Sequence, residues 1–213
     1  MVMKRSTTTR ASLFSLGAFA IALGLTLAPA PVHSMGATGA DTVRTLYDTL
    51  LTTMRAGPSL GAQGRYARIA PVVRQVFDVP YMTQLAVGPQ YASLDAAQRQ
   101  QVEQAFERYI AAVYAERFDS YAGERLQVVS EKPTSAGVMI TSQIVKSNGE
   151  PVQINYLTRQ TGGGWQIADV YLNGTISELA TRRSEFSGIL RAQGINGLIA
   201  ALNQKAAVLS RSG

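Results

Sequence analysis

Hydrophobic residues recur at three- and four-residue steps through the first half of the chain, a spacing that predicts amphipathic helices. The first stripe starts at Asp41, and Gly57-Pro58 ends it. The second runs from Tyr66 to Phe77 and is interrupted by Pro71, because proline cannot donate a helical hydrogen bond. These two segments predict helices that each turn one apolar face toward a common core.

A short turn and then the longest helix are predicted next. Asp78-Val79-Pro80 closes the second helix and leads into a turn that holds Met82, with a stop at Gly88-Pro89. Ser93 is a favourable N-cap for the helix that follows. The apolar stripe of that helix reaches Phe118 and is the most regular in the chain.

Past Gly123 the apolar period changes to two and β-branched residues become common, which predicts strands. Asn148-Gly149 is a strong hairpin sequence, and Gly162-Gly163-Gly164 makes the next tight connection. The strands should therefore form an antiparallel meander. They are predicted at Leu126–Val129, Val138–Val145, Val152–Leu157 and Trp165–Leu172.

Two more helices are predicted after the strands, from about Ile176 to Leu190 and from Ile195 to Leu209, with Gly194 between them. The order of helices, strands and helices predicts an α+β fold in which helices cover a four-stranded antiparallel sheet. No internal repeat or linker divides this region. One domain is therefore predicted over residues 35–213.

The first 34 residues have the pattern of a secretory signal peptide. A basic stretch that ends at Arg10 precedes an apolar stretch from Ala11 to Ala28, and small residues and prolines follow. The apolar stretch approaches the length of a transmembrane anchor, but its serines, glycines and alanines lower its hydrophobicity. We expect cleavage after Ser34 and export of the remaining chain.

Composition matters most through what the predicted mature chain lacks. The sequence contains no cysteine, and its single histidine, His33, lies in the predicted signal peptide. Histidine triads, thiol nucleophiles, disulfides and zinc sites with His or Cys ligands are therefore excluded for residues 35–213. The formal net charge of +6 falls to +3 when Lys4, Arg5 and Arg10 are removed, which is too mild to predict nucleic-acid binding.

Few polar residues favour catalysis. Asp169 lies among apolar residues of a predicted strand, where a carboxylate paired with an arginine or with backbone amides is commoner than a catalytic acid. Arg182, Arg183 and Arg191 share one predicted helix and are either solvated or available to a phosphate group or an acidic surface. Gly162-Gly163-Gly164 lacks the Lys-Ser/Thr of a phosphate loop and is interpreted as a turn.

The aromatic and methionine positions of the helical stripes have two explanations of similar weight. They fit ordinary core packing, and they fit the wall of a ligand cavity. Several amphipathic helices must share one face of a small sheet that is curved by its twist, which leaves room for a pocket between the layers.

Three short stretches occur in a recognisable order: Phe77-Asp78, the segment from Gly164 to Ser177, and Arg183-Ser184-Glu185-Phe186. Together they resemble the MlaC family of periplasmic phospholipid-binding proteins, also called the toluene-tolerance auxiliary family. Phe118-Asp119-Ser120-Tyr121 and Tyr156-Leu157-Thr158-Arg159-Gln160 are similar to the HpnM subgroup, which is associated with hopanoid biosynthesis and transport.

This resemblance implies a periplasmic lipid shuttle with an NTF2-like sheet, an apolar cavity for acyl chains and a headgroup at the mouth. It implies no catalysed reaction, no cofactor and no metal, and lipid exchange with an inner-membrane transporter complex and an outer-membrane acceptor complex. Asp169 and Arg183 are assigned structural or cavity-mouth roles. The expected cavity wall consists of Leu50, Met54, Phe77, Met82, Phe106, Tyr109, Ile110, Val113, Tyr156, Trp165 and Val170.

Two other function classes stay open at this point. A small α+β enzyme would use Asp169 and Tyr156, and an Asp169 buried without an arginine or backbone partner would favour it. An interaction module would bind a membrane complex without carrying lipid, and it would tolerate bulky residues in the predicted cavity. The ligand of a carrier is predicted to be a phospholipid or a hopanoid-type lipid.

Overall fold

The computed structural model describes residues 38–211, and this region begins with helices that were predicted from the apolar stripes. The first helix starts at Thr38, whose side chain accepts a hydrogen bond from the Asp41 amide. The predicted signal peptide lies outside the described residues. The helices before the sheet are α1 (Gly39–Arg55), α2 (Gly57–Val76), α3 (Val79–Val87), a 3₁₀ segment (Gly88–Ser93) and α4 (Ala96–Arg117).

Within residues 38–211, five antiparallel strands follow these helices and lie in the sheet in their sequence order, and the helix α5 (Glu178–Leu209) comes after them. The predicted α+β class with an antiparallel sheet is confirmed. The predicted number of four strands is wrong, because Ile176 and Ser177 pair with Leu172 and Tyr171 before α5 begins. The strands are β1 (Arg125–Thr134), β2 (Gly137–Val145), β3 (Pro151–Thr161), β4 (Gly164–Leu172) and β5 (Ile176–Ser177).

Two predicted helix boundaries are corrected by side-chain caps. Asp78 begins α3 by accepting a hydrogen bond from the Tyr81 amide, and Pro80 occupies the first helical turn, where it needs no amide partner. The predicted end of the second helix is confirmed, since α2 stops at Val76, but the short turn predicted after it is the helix α3. Similarly Asp95, and not Ser93, caps α4, since Asp95 and Gln98 form a reciprocal capping box.

The expected breaks within helices fall partly elsewhere. Helix α2 continues through Pro71, and the buried Ile69 and Val73 beside it supply core packing that offsets the lost hydrogen bond. The break in α2 is at Gly61, with φ 60° and ψ 174°. Gly194, predicted to separate two C-terminal helices, breaks α5 with φ 65° and ψ −168°.

Helix α1 packs directly on the sheet, while α4 packs against α2 and α5. The Thr42 hydroxyl donates to the Trp165 carbonyl at 3.0 Å, which fixes the start of α1 to the start of β4. Leu46, Ile140 and Leu202 are fully or almost fully buried and show that one core joins α1, the sheet and α5. Within residues 38–211, no helix has both the length and the apolar character needed to cross a bilayer.

Candidate functional site

A cavity of about 400 Å³ lies between the sheet and the helices. Its volume falls in the range of small-molecule binding sites, and most of its wall is aliphatic or aromatic. The wall draws on α1, α3, α4, α5 and strands β2 to β4. Its apolar part comprises Met54, Phe77, Met82, Phe106, Tyr109, Ile110, Val113, Tyr114, Phe118, Ile144, Val152, Ile154, Tyr156, Val170, Leu172 and Leu179.

Nine of the eleven residues predicted to form the cavity wall line this cavity. The other two, Leu50 and Trp165, lie elsewhere. Leu50 is fully buried in the core one helical turn before Met54, because periodicity predicts the buried face of a helix but not the level along it. Trp165 lies at the start of β4 opposite Gln160, far along the strand from Leu172.

The lining strand residues follow from pairing in the sheet. Tyr156 lies opposite Val170, and Ile154 lies opposite Leu172, so these four side chains form two cross-strand pairs. Ile154 and Leu172 are absent from the predicted cavity wall. Each lies two residues from a predicted wall residue, Tyr156 or Val170, and therefore on the same face of its strand. An extra residue in β4, Ala168, shifts the register beyond this point.

The innermost polar groups of the site belong to tyrosines. The Tyr156 ring packs edge-on against Tyr47 with ring centroids 5.8 Å apart. Burial raises the pKa of Tyr156 well above its usual value, and its hydroxyl is within hydrogen-bonding reach of those of Tyr47 and Tyr114. The three hydroxyls therefore stay neutral near pH 7, so this part of the site carries no charge.

Charged side chains line one part of the cavity, which we call the mouth. Arg182 is held there: its Nη1 donates to Glu185 at 2.8 Å and its Nη2 to Glu178 at 3.0 Å. Its guanidinium also lies over the Tyr109 ring, 5.5 Å from the centroid. The mouth consists of Arg117, Asp119, Glu124, Lys146, Glu178 and Arg182.

A shallow groove of about 510 Å³ adjoins the cavity on the last part of α5. Its lining includes Ala201, Lys205 and Leu209, and it shares one residue, Tyr109, with the wall of the cavity. The Lys205 ammonium lies 6.0 Å from the centroid of the Tyr109 ring. Tyr109 thus forms a partition between the cavity and the groove.

Asp169 and Arg183 lie outside the cavity lining, so neither belongs to the mouth. The buried Asp169 carboxylate accepts hydrogen bonds from the Val170 amide at 2.7 Å, the Leu179 amide at 3.2 Å and the Ser177 hydroxyl at 2.6 Å. It ties β4 to the start of α5. Arg183 donates to the Leu85 carbonyl at 3.2 Å and covers the end of α3, so its geometry is also structural.

The model of the MlaC protein family matches residues 44–204 of this sequence. The chain belongs to the MlaC family. A relative from Haemophilus influenzae, the intermembrane phospholipid transport system binding protein MlaC, is 28% identical over 134 residues. That match spans 61% of this chain and 62% of the relative, which is less than two thirds of its length.

A solved structure has a fold similar to that of this chain. The phospholipid-binding protein from Ralstonia solanacearum, determined in complex with a phospholipid, matches with a TM-score of 0.68 and 24% identity. The match covers 82% of this chain and 99% of that chain. It supports the observed fold over most of the described residues, whereas the HpnM subgroup and the NTF2-like label stay predictions.

Metal-ligating side chains form no cluster in the part of the chain that the structure describes. Among residues 38–211, no group of three or more His, Cys, Asp or Glu side chains is placed to hold a metal ion. The arrangement offers instead an uncharged apolar interior with charged groups at one side. Such a site can exclude water from a hydrocarbon chain and leave a polar end in solvent.

Proposed function

We propose that this MlaC-family protein binds a phospholipid and carries it between membranes. The acyl chain would lie in the cavity, and the headgroup would lie at the mouth. The observation that carries the proposal is the cavity of about 400 Å³ with apolar walls and a charged mouth. The phospholipid named for the solved relative and the transport system named for the curated relative support it.

The energetics of acyl-chain burial are sufficient for such a site. Transfer of hydrocarbon from water gains roughly 0.8 kcal/mol per CH₂, so a chain of about 16 carbons supplies more than 10 kcal/mol before the costs of binding. No specific polar contact to the chain is required. Affinity then comes from the apolar wall, and selectivity comes from groups at the mouth.

The working compartment in this proposal is the periplasm, reached through the predicted signal peptide. Lipid would be exchanged with an inner-membrane transporter complex and with an outer-membrane acceptor complex. Transport direction and energy would be supplied by those complexes, since a soluble carrier only equilibrates with the membranes it contacts. The relative from Haemophilus influenzae is named for an intermembrane transport system, which agrees with this placement.

A hopanoid-type lipid is the second candidate ligand. Phe118, Asp119 and Ser120 belong to the stretch that resembles the HpnM subgroup, and all three line the cavity. In this alternative, these residues set the choice of ligand. Identification of the lipid that copurifies with the protein separates the two candidates.

The contacts of the two residues considered for catalysis favour a carrier over an enzyme. The Asp169 carboxylate already accepts two backbone amides and one hydroxyl. The Tyr156 hydroxyl lies among other buried tyrosine hydroxyls. Neither group is left available to transfer a proton to a ligand, so the proposal contains no chemical step.

Native mass spectrometry of protein purified from cells tests the proposal. We expect lipid adducts in the wild type, and loss of most adducts in Val113→Trp, because Val113 lines the cavity and the larger ring would obstruct the space that an acyl chain needs. Val129→Trp is the matched control, since Val129 is exposed on β1 and lies outside the cavity.

The outcomes separate the competing functions. Wild-type protein that consistently lacks lipid contradicts the carrier. A Val113→Trp variant that binds membrane partners and supports function in cells as well as the wild type would instead identify an interaction module. Extracted phospholipid favours the first ligand, and extracted hopanoid favours the second.

A further inference from the structure

The three basic side chains of the mouth differ in whether they already have partners. Arg182 is bound by Glu178 and Glu185. The Lys146 ammonium is bound by Glu150 at 3.0 Å. The guanidinium of Arg117, in the last turn of α4, forms no hydrogen bond or ion pair with any residue in the range 38–211.

Arg117 nevertheless lines the cavity. Burial raises the pKa of Tyr114 and of Tyr109, and the positive charge of Arg117 opposes the rise in both. Both tyrosines are part of the cavity wall, so the charge acts on the cavity from its mouth. Arg117 therefore combines an unsatisfied set of donors with a position beside the proposed acyl-chain site.

We propose that Arg117 binds the phosphate of the lipid headgroup and selects phosphate-bearing lipids. This inference rests on the proposed carrier function. A guanidinium matches a phosphate well, because its parallel N–H groups can donate to two phosphate oxygens at once. A lipid without phosphate, such as a diacylglycerol or an unphosphorylated polycyclic lipid, gains nothing from this contact.

Because the other charges of the mouth nearly cancel, a direct contact between Arg117 and the phosphate matters more than the long-range electrostatic attraction of the mouth. Its three basic residues are matched by three acidic ones, so the lining charges sum to zero. A highly anionic headgroup therefore gains little long-range attraction. Because Arg182 and Lys146 are engaged by carboxylates, Arg117 is the donor whose phosphate contact requires no ion pair to be broken first.

The test compares two lipids with identical chains, dioleoylphosphatidylethanolamine and dioleoylglycerol. Delipidated protein is incubated with vesicles that contain both in equal amounts, and the bound lipids are quantified by mass spectrometry. We expect the wild type to prefer the phospholipid by about tenfold, the size of one charge-assisted hydrogen bond at an exposed site. We expect Arg117→Gln to lose most of that preference and Arg117→Lys to keep part of it.

Arg125→Gln is the matched control, because Arg125 is exposed at the start of β1 and lies outside the cavity lining. It removes the same charge and should leave the preference unchanged. Dioleoylglycerol bound by Arg117→Gln serves as the internal check that the variant is folded.

Each outcome has one meaning. Arg117→Gln that retains the full preference overturns the inference and leaves the carrier function intact. Arg117→Gln that binds neither lipid while the wild type binds both also overturns it, since dioleoylglycerol binding should not need Arg117. Wild-type protein that binds neither lipid contradicts the carrier function itself.

Discussion

The Tyr47 hydroxyl on α1 and the Ser142 hydroxyl on β2 are hydrogen-bonded at 2.5 Å in the buried interface between helix and sheet. Ser142 also donates to the carbonyl of Ile154 on β3. With the Ser142 proton used in this way, Tyr47 is the donor in the first bond. The pair links α1 to two strands directly beside the cavity wall.

Tyr47→Phe removes this bond and should lower the free energy of unfolding by about 1 kcal/mol, the usual net contribution of such a bond. Urea denaturation followed by circular dichroism measures the change. Tyr121→Phe is the control, because Tyr121 is 40% exposed, and its stability should match the wild type. Equal stability of all three proteins would mean that water replaces the bond at no cost.

Stability should fall at alkaline pH because of the buried tyrosines. Burial raises the pKa of Tyr156 and Tyr47, and burial together with the Glu103 carboxylate raises the pKa of Tyr91 to about 12. Unfolded tyrosines lose their protons near pH 10. Above that pH the unfolded chain releases protons that the folded chain retains, so unfolding becomes progressively easier.

The stabilisation is thus complete below pH 10 and is lost as the pH rises above it. We expect the free energy of unfolding to be flat from pH 8 to 9 and then to decrease by up to about 1.4 kcal/mol per pH unit for each fully buried tyrosine. Urea titrations at pH 8, 9, 10 and 11 measure it. Tyr47→Phe should show a shallower decrease, and constant wild-type stability up to pH 11 would disprove the linkage.

Asp169→Asn should destabilise the fold by about 2 to 3 kcal/mol. An amide offers one acceptor oxygen, and its NH₂ group would face donors that the carboxylate now satisfies. Asp95→Asn is the matched control, because Asp95 is an exposed N-cap and asparagine caps helices equally well. Thermal denaturation of the two variants compares them, and similar midpoints would show that Asp169 does not fasten α5 to β4.

Gly57, at the start of α2, packs closely against the backbone of Asp119, a residue of the mouth. A methyl group added at Gly57 would lie 2.1 Å from the Asp119 carbonyl oxygen, so Gly57→Ala should cost about 1 to 3 kcal/mol through displacement of the backbone. At Gly188, on the exposed side of α5, nothing lies within 4 Å of such a methyl group. Gly188→Ala should instead stabilise by about 0.5 to 1 kcal/mol; denaturant unfolding checks the opposite signs.

Tyr109→Ala should remove the partition between the cavity and the groove on α5. We expect the variant to retain larger or additional lipids in native mass spectra, because the enlarged space admits more hydrocarbon. Tyr109→Phe keeps the ring and should retain the wild-type lipid set. An unchanged set in Tyr109→Ala would show that neighbouring side chains close the gap.

The helical part of the site was largely predictable. Residues such as Phe106, Tyr109 and Val113 follow from three- and four-residue spacing on a long helix, because burial of one face imposes that period. Asp78-Val79-Pro80 correctly predicted the end of the second helix but not the start of α3, since proline both interrupts helices and occurs in their first turn. Only the hydrogen bond from the Tyr81 amide to the Asp78 side chain shows that a new helix begins here.

Other features depend on neighbours that are distant in sequence. The extra residue Ala168 in β4 leaves the local pattern of apolar residues nearly unchanged, so its effect on register is invisible before pairing. The spacing of Arg182 to Glu178 and Glu185 predicts their ion pairs. The lack of a partner for Arg117 has no such local signal, because it is a property of the whole mouth.

The Thr42 hydroxyl and the Trp165 carbonyl are separated by 123 residues, which constrains the order of folding. The hairpins of the sheet join neighbours in sequence and can form early. The apolar face of helix α1 stays uncovered until β4 is in place. A chain truncated before β4 should therefore expose the apolar face of α1 and aggregate, although it still contains most of the sequence of the domain.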